Sequence, residues 1–282
     1  MTKLLLVDGH NLLFRMFFGL PARILGKGGF SIHGTIGFIG TLLKTLTAIT
    51  PTHLLVVFDS ERGSFRDEVM ADYKATRTKD FSKLPPEGNP FSQLPSIHAA
   101  LDRLGFRHCE VTGVEADDVI ARYARHEEPD EVIIVSTDMD LFQLVGERTR
   151  IFCPRGTKSI LYGPAEVRAR YGIPPALVPD YKALVGDKTD NIAGIPGIGP
   201  KTAVRLLAEF GCIANILGKV HAIKPDALQK KLIDYRMRIK GNLDLIRLDC
   251  EIHMPFAIDD LRITPESWQQ KTMAILRAVG VA

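Results

Sequence analysis

The stretch EVIIVSTDMDLFQL (131–144) decides the fold class. Four consecutive residues favourable to strands, Val132 to Val135, lie side by side with no polar alternation, which is how a strand covered on both faces reads. The run then breaks into a polar turn that carries Asp138 and Asp140. KLLLVD (3–8), HLLVVFD (53–59) and a weaker FRHCEV (106–111) have the same form, and longer helical segments separate them. That alternation predicts an α/β fold with a mainly parallel sheet and helices on both faces. Residues 149–162 read as a later hairpin around Arg155 and Gly156. Asp8 and Asp59 close their strands and Asp138 follows the last, so parallel strands would collect these carboxylates at one edge, where open α/β sheets bind ligands.

The chain of 282 residues is long enough to bury a core without disulfide help. Its four cysteines, Cys109, Cys153, Cys212 and Cys250, form no CxxC and have no histidine pair at zinc spacing, so free thiols in a reducing cytoplasm are expected and zinc is not. The apolar run at the N-terminus is broken by Asp8 and His10, too short for a secretory signal, and no run reaches the length of a membrane span. Net charge is +3, compatible with almost any partner. Its distribution says more: between residues 219 and 247, Lys219, Lys224, Lys230, Lys231, Arg236, Arg238, Lys240 and Arg247 face only Asp226, Asp234 and Asp244. Such a stretch is a nucleic-acid surface or a solvated helical face.

Organisation divides at about residue 162. An α/β region (1–162) contains a polar insertion at about 62–94 that includes LPPEGNP (84–90), and a second region (163–282) reads as helices without strands: PAEVRARYG, PALVPDYKALVG, PKTAVRLLAEFG, ALQKKLIDY and PESWQQKTMAILRAVG.

Carboxylates carry the chemistry. In GVEADD (113–118), Glu115 and Asp118 are three apart on one helical face and Asp117 is about a hundred degrees round. Read alone, they are metal ligands or favourable partners of a helix N-terminus. Asp138 and Asp140 lie on one side if the chain stays extended, or cap the helix that follows. Asp187 and Asp190 precede the glycine-rich turn GIPGIGPKTA (194–203). Gathered together, Asp8, Asp59, Glu115, Asp117, Asp118, Asp138, Asp140, Asp187 and Asp190 would repel one another unless divalent cations neutralised them. A set of oxygen ligands without His or Cys suits Mg²⁺ or Mn²⁺, and two such ions roughly 4 Å apart can drive in-line hydrolysis of a phosphodiester.

In series, VDGHNLLFR (7–15), VFDSERGSFR (57–66), YKATR (73–77), GVEADD (113–118), STDMDLFQL (136–144) and GDKTDNIAGIPGIGPKTA (186–203) resemble the bacterial branch of the 5′-nuclease, or flap endonuclease, superfamily. The resemblance implies a PIN-like core, a helical arch and a C-terminal DNA-binding region with a helix-hairpin-helix at about 186–210. It implies that the nine acids are the metal set. It places Lys74 and Arg77 on the arch against the scissile phosphate, Arg66 near the backbone, and Tyr73 as a stacking or packing residue. In the turn, Gly197 and Gly199 permit close approach of backbone, while Pro200, Lys201 and Thr202 open a helix whose free N–H groups can hold a phosphate. K⁺ beside this hairpin also follows from the resemblance.

The expected activity is structure-specific 5′-3′ exonuclease and flap endonuclease cleavage of DNA in replication and repair, with 5′-phosphate products. The substrate would be DNA with a 5′ flap, 5′ overhang or nick, and the protein a cytoplasmic, nucleoid-associated monomer. A DNA polymerase in trans is a further expected partner, with a standalone protein and a piece of a polymerase both left open. The alternatives are a catalytically weak DNA-binding relative, a PIN-type ribonuclease, or a phosphatase with Asp8 or Asp138 as nucleophile. Asp190 and Gly197 are close enough in sequence to tie the hydrolytic centre to the duplex grip.

Overall fold

The first strand, β1 (Lys3–Asp8), is buried along nearly its whole length, and so is β2 (His53–Phe58) beside it. The computed structural model describes residues 1–20, 24–26, 29, 31–60, 81–156, 158–248 and 251–264. β3 (Arg107–Glu110), β4 (Glu131–Val135), β5 (Thr149–Cys153) and β6 (Ile160–Tyr162) complete a six-stranded sheet of order β3-β2-β1-β4-β5-β6. All neighbours are parallel except β5 and β6, the predicted hairpin. Register places Asp8 opposite Val57 and Val7 opposite Val135, so the ends of the three central strands are level.

Side chains alternate across this sheet, and both sets are apolar. Leu5, Val7, Leu54, Val56, Phe58, Ile133 and Val135 pack under α1 (Gly9–Gly19), α2 (His33–Ile49) and α3 (Leu94–Leu104). Leu4, Leu6, Leu55, Val57, Val132 and Ile134 pack on the opposite face with α4 (Ala116–Ala124). That second core continues without a break into the helical region. There it takes in Val167 of α5 (Pro164–Tyr171), Leu184 of α6 (Val178–Val185), Leu206 of α7 (Pro200–Phe210), Ile216 of α8 (Ile213–Gly218), Leu232 of α9 (Asp226–Asp234), Ile239 of α10 (Arg236–Ile246), and Ile198 of the turn before α7. Burial of one continuous apolar surface couples the helices mechanically to the sheet.

One expectation is corrected. A two-residue antiparallel hairpin, β7 (Gly186–Asp187) with β8 (Ile192–Ala193), stands in the region read as strandless, and is too short for any periodicity to announce it. Residues 251–264 leave the helices and run back to the sheet: the Tyr123 hydroxyl donates to Phe256 O at 2.8 Å and accepts from Phe256 N at 3.0 Å, and Ile263 N donates to Thr52 O. Around LPPEGNP the chain forms 3-10 turns at Phe81–Lys83, Pro86–Gly88 and Pro90–Gln93, because each proline removes an N–H that a longer helix would need. The segment PESWQQKTMAILRAVG and most of the insertion lie outside the described residues. Among the described residues no helix is long and apolar enough to cross a membrane.

Candidate metal centre and hairpin

Asp8 ends β1 and serves two partners at once. Its Oδ1 accepts the N–H of Asn11 at 3.0 Å, capping α1, and its Oδ2 accepts the Ser136 hydroxyl at 2.9 Å. Ser136 Oγ in turn accepts the N–H of Asp138 at 3.0 Å, and Asn11 Oδ1 accepts from Thr137 N and Oγ1. The ends of β1 and β4 are thus stitched side by side. The chain beyond them is not extended: Asp138 Oδ1 accepts Asp140 N at 2.9 Å and starts a 3-10 turn, Asp140–Leu144. Asp138 caps that turn while still reaching the sheet edge. On the other side of β1, Asp59 Oδ1 accepts Ala116 N at 2.9 Å, which docks the first turn of α4, and Asp59 N donates to His10 Nδ1 at 2.9 Å.

This docking crowds charge. Burial, then the charges of Asp59 and Asp138, push the Asp8 carboxyl up to about 7 against the hydrogen bonds from Asn11 and Ser136. Asp117 is raised well above the usual carboxylate range by burial and by Asp138, Asp8, Asp59 and Asp140. Of the acids on the first turn of α4, Asp117 therefore faces the sheet-edge aspartates. Glu115 is the half-buried residue ahead of the helix and Asp118 is buried one step beyond Asp117.

A second group adjoins the first at Asp140. Carboxylate oxygens of Asp140, Asp187 and Asp190 all lie within 4.8 Å of one another. Into it reaches Lys182 from α6, 3% exposed as a residue, with its ammonium in contact with Asp140 Oδ1 and 2.6 Å from Asp187 Oδ2. Burial pulls the Lys182 pKa down, but the charge of Asp140 and the bonds to both carboxylates outweigh it, so the ammonium is held charged well above the ordinary lysine range. Burial pushes Asp187 up, yet Lys182 and the N–H groups of Thr189 and Asp190 overrule it and hold it low. Asp140 is raised by burial, with Lys182 pulling against it.

Lys182 was not among the residues singled out in the sequence. A lysine in YKALVG reads as an exposed helical position, and only its apolar neighbours Ala183 and Leu184 hint otherwise.

The connection from this group to the glycine-rich turn is braced. Ile195 N donates to Leu184 O, Ile198 N donates to Ile195 O, and both isoleucines are buried. Asn242, buried on α10, donates to Ala183 O at 3.1 Å and Ala193 O at 2.9 Å. Gly197 takes φ +80, and Gly199, Pro200 and Lys201 are exposed at the start of α7, with Thr202 half-buried. A side chain at Gly197 would meet the Lys231 ammonium at 2.3 Å, so Lys231 of α9 lies against this turn. Lys219, Lys224, Lys230, Arg236, Arg238 and Lys240 are exposed. Arg66, Tyr73, Lys74 and Arg77 lie outside the described residues.

The family described as 5'-3' exonuclease, N-terminal resolvase-like domain, matches residues 3–172, and its companion, 5'-3' exonuclease, C-terminal SAM fold, matches residues 173–269. The chain belongs to the 5′-3′ exonuclease family. It is 38% identical over 259 residues to the thermostable DNA polymerase I of Thermus filiformis, covering 91% of this chain but 29% of that protein. The chain therefore spans less than a third of the length of that relative. Its fold is that of T5 5'-exonuclease, described with bound zinc ions, at TM-score 0.74 and 22% identity over 98% of both chains. It is also that of the Rad2 catalytic core, described with DNA substrate, at TM-score 0.61 and 18% identity over 99% of this chain and 93% of that one.

The donor set fits divalent ions. Every candidate ligand is a carboxylate, and the raised Asp8 and Asp117 mark negative charge that the protein alone leaves uncompensated. A carboxyl whose folded pKa exceeds its unfolded value stabilises the fold fully below the unfolded value, and that contribution is lost as pH rises through the folded one. For Asp8 the window runs from 3.8 to about 7, and Asp117 adds in the same direction. Asp187, held low, contributes the opposite way: its stabilisation is present above the unfolded value and is lost only as pH falls through the folded one. The melting temperature of metal-free protein should therefore fall as pH rises through this window, and Mn²⁺ should remove most of the fall. A flat metal-free profile would show that the carboxylates do not crowd.

Proposed function

We propose that this exonuclease hydrolyses phosphodiesters of DNA carrying a 5′ flap, 5′ overhang or nick, by 5′-3′ exonuclease and flap endonuclease cleavage that leaves 5′-phosphates. The observation that carries the reading is the meeting of two carboxylate groups at Asp140, with one of them braced through Ile195 and Ile198 to an exposed hairpin. Asp8, Asp59, Asp117 and Asp138 would hold one ion and Asp140, Asp187 and Asp190 the other, with Mg²⁺ or Mn²⁺ the hard cations such oxygens prefer. When bound, the ions supply nucleophile activation and charge neutralisation at the leaving oxygen.

The chain's own residues do the rest. Ser136, Asn11 and the N–H of Ala116 fix the aspartates in place, so the ligand set needs little reorganisation. Free N–H groups at the start of α7, with Lys201 and Lys231, grip a duplex phosphate without reading sequence, and the exposed cations of α9 and α10 extend that grip along the backbone. Lys74 and Arg77, helped by Arg66, stabilise charge at the scissile phosphate, and Tyr73 stacks on an unpaired base. K⁺ at the hairpin, action as a monomer beside a separate DNA polymerase, and a place at the nucleoid in the cytoplasm belong to the same proposal.

Offering identical flapped duplexes with a DNA or an RNA 5′ strand, alongside a small phosphate ester, tests the reading. Mg²⁺-dependent cleavage of the DNA flap near the junction is the expected result. Preferential cleavage of RNA would favour a PIN-type ribonuclease, and ester hydrolysis with DNA ignored would favour a phosphatase. The brace also makes the earlier tether more specific: residues inserted between Ile195 and Gly197 should blur the cleavage position, and sharp cleavage at the same nucleotide would separate hairpin from metal group.

A further inference from the structure

We propose that Lys182 is a resident counter-ion that keeps Asp140, Asp187 and Asp190 assembled before a divalent ion arrives and then competes with it, so that the exonuclease fills its two carboxylate groups in order. The inference rests on the metal-dependent reading above and adds a role for a residue that no ligand set contains.

The geometry points to competition rather than simple support. The Lys182 ammonium touches Asp140 Oδ1 and Asp187 Oδ2, two oxygens of the same triad that would ligate an ion. An N–H donor and a metal ion need the same carboxylate lone pairs, so each contact held by the lysine must be surrendered or shared. Charge acts in the same direction. Three carboxylates and one ammonium leave two negative charges, whereas the triad without its lysine leaves three and attracts a cation more strongly.

Lys182 cannot simply swing into water. Its side chain is 4% exposed, and the backbone around it is fixed by Asn242 bonding Ala183 O and by Ile195 bonding Leu184 O. The same enclosure explains why a cation is kept there. Without metal, three carboxylates with oxygens within 4.8 Å would otherwise push the β7–β8 hairpin away from the Asp140 turn.

Calorimetric titration of DNA-free protein with Mn²⁺ tests this. The wild type should show a tighter and a weaker class of site. Lys182→Met should tighten the weaker class by about tenfold or more, as expected on removing a close charged competitor, and leave the tighter class nearly unchanged. Its metal-free melting temperature should drop below that of the wild type and recover with Mn²⁺. Lys182→Arg, which keeps the charge, should preserve the wild-type order and guards against a folding defect in the methionine variant. A weaker class that is unchanged or weakened in Lys182→Met, or tightened equally in Lys182→Arg, would overturn the inference alone. No Mn²⁺ uptake by the wild type would overturn the metal reading and the inference together.

Discussion

Asp117→Asn should abolish most cleavage and yet make the metal-free protein more stable. Asp117 is raised by burial and by four neighbouring aspartates, so its charge is a cost to the fold in the absence of metal. An amide of the same shape removes that repulsion while losing a ligand oxygen's charge. The expected loss in cleavage rate with Mg²⁺ is about a thousandfold, equivalent to roughly 4 kcal/mol of transition-state stabilisation. Each kcal/mol of relieved repulsion should raise the metal-free melting temperature by about 2–4 °C for a chain of this size. Opposite signs are the signature of a functional charge. A variant that is both slow and less stable would show that Asp117 is a structural partner.

Gly194→Ala should be the most damaging glycine-to-alanine change among the described residues. A Cβ there would lie 2.1 Å from Val185 O, and one on Gly186 would lie 2.4 Å from Gly194 N at a φ of +86. Both obstacles are backbone, which cannot rotate aside as a side chain can. Overpacking of this kind is expected to cost about 3 kcal/mol, near the top of its usual range. Because Gly186 and Gly194 flank the hairpin that carries Asp187 and Asp190, cleavage should fall as well. Gly199→Ala is the matched control, since nothing lies within 4 Å of its Cβ and its φ is −94. Urea unfolding of the two variants should separate them clearly, and equal midpoints would mean the hairpin yields more than its geometry implies.

Much of this architecture is legible in the sequence because its signals are local. Unbroken apolar runs at 4–7, 54–58 and 132–135 announce strands covered on both faces, and Asp8, Asp59 and Asp138, at or just beyond their ends, announce the sheet edge where they meet. What is not legible depends on partners distant in the chain. Lys182 looks like any surface lysine until Asp140 is brought to it from another element. Asn242 looks like a solvated polar residue until α10 is laid across Ala183 and Ala193. Helical spacing makes Glu115 and Asp118 a pair, but Asp117 is turned toward the sheet edge by the bond from Ala116 N to Asp59. The strap at 251–264 has no long helix or strand to announce it, because scattered bonds such as those of Tyr123 to Phe256 and of Ile263 to Thr52 hold it around a short 3-10 turn, Ile258–Leu261.

On the proposed function, two aspartate groups, one on the sheet edge and one on the β7–β8 hairpin, act together through divalent ions on a DNA phosphodiester. A labelled 5′-flap duplex incubated with the wild type, Asp138→Asn and Asp187→Asn, each with Mg²⁺ and with excess chelator, tests it directly. The wild type should release a product near the junction only with Mg²⁺, and both variants should be severely slowed while still binding duplex. Undiminished cleavage by both variants, or cleavage by the wild type in chelator, would contradict it.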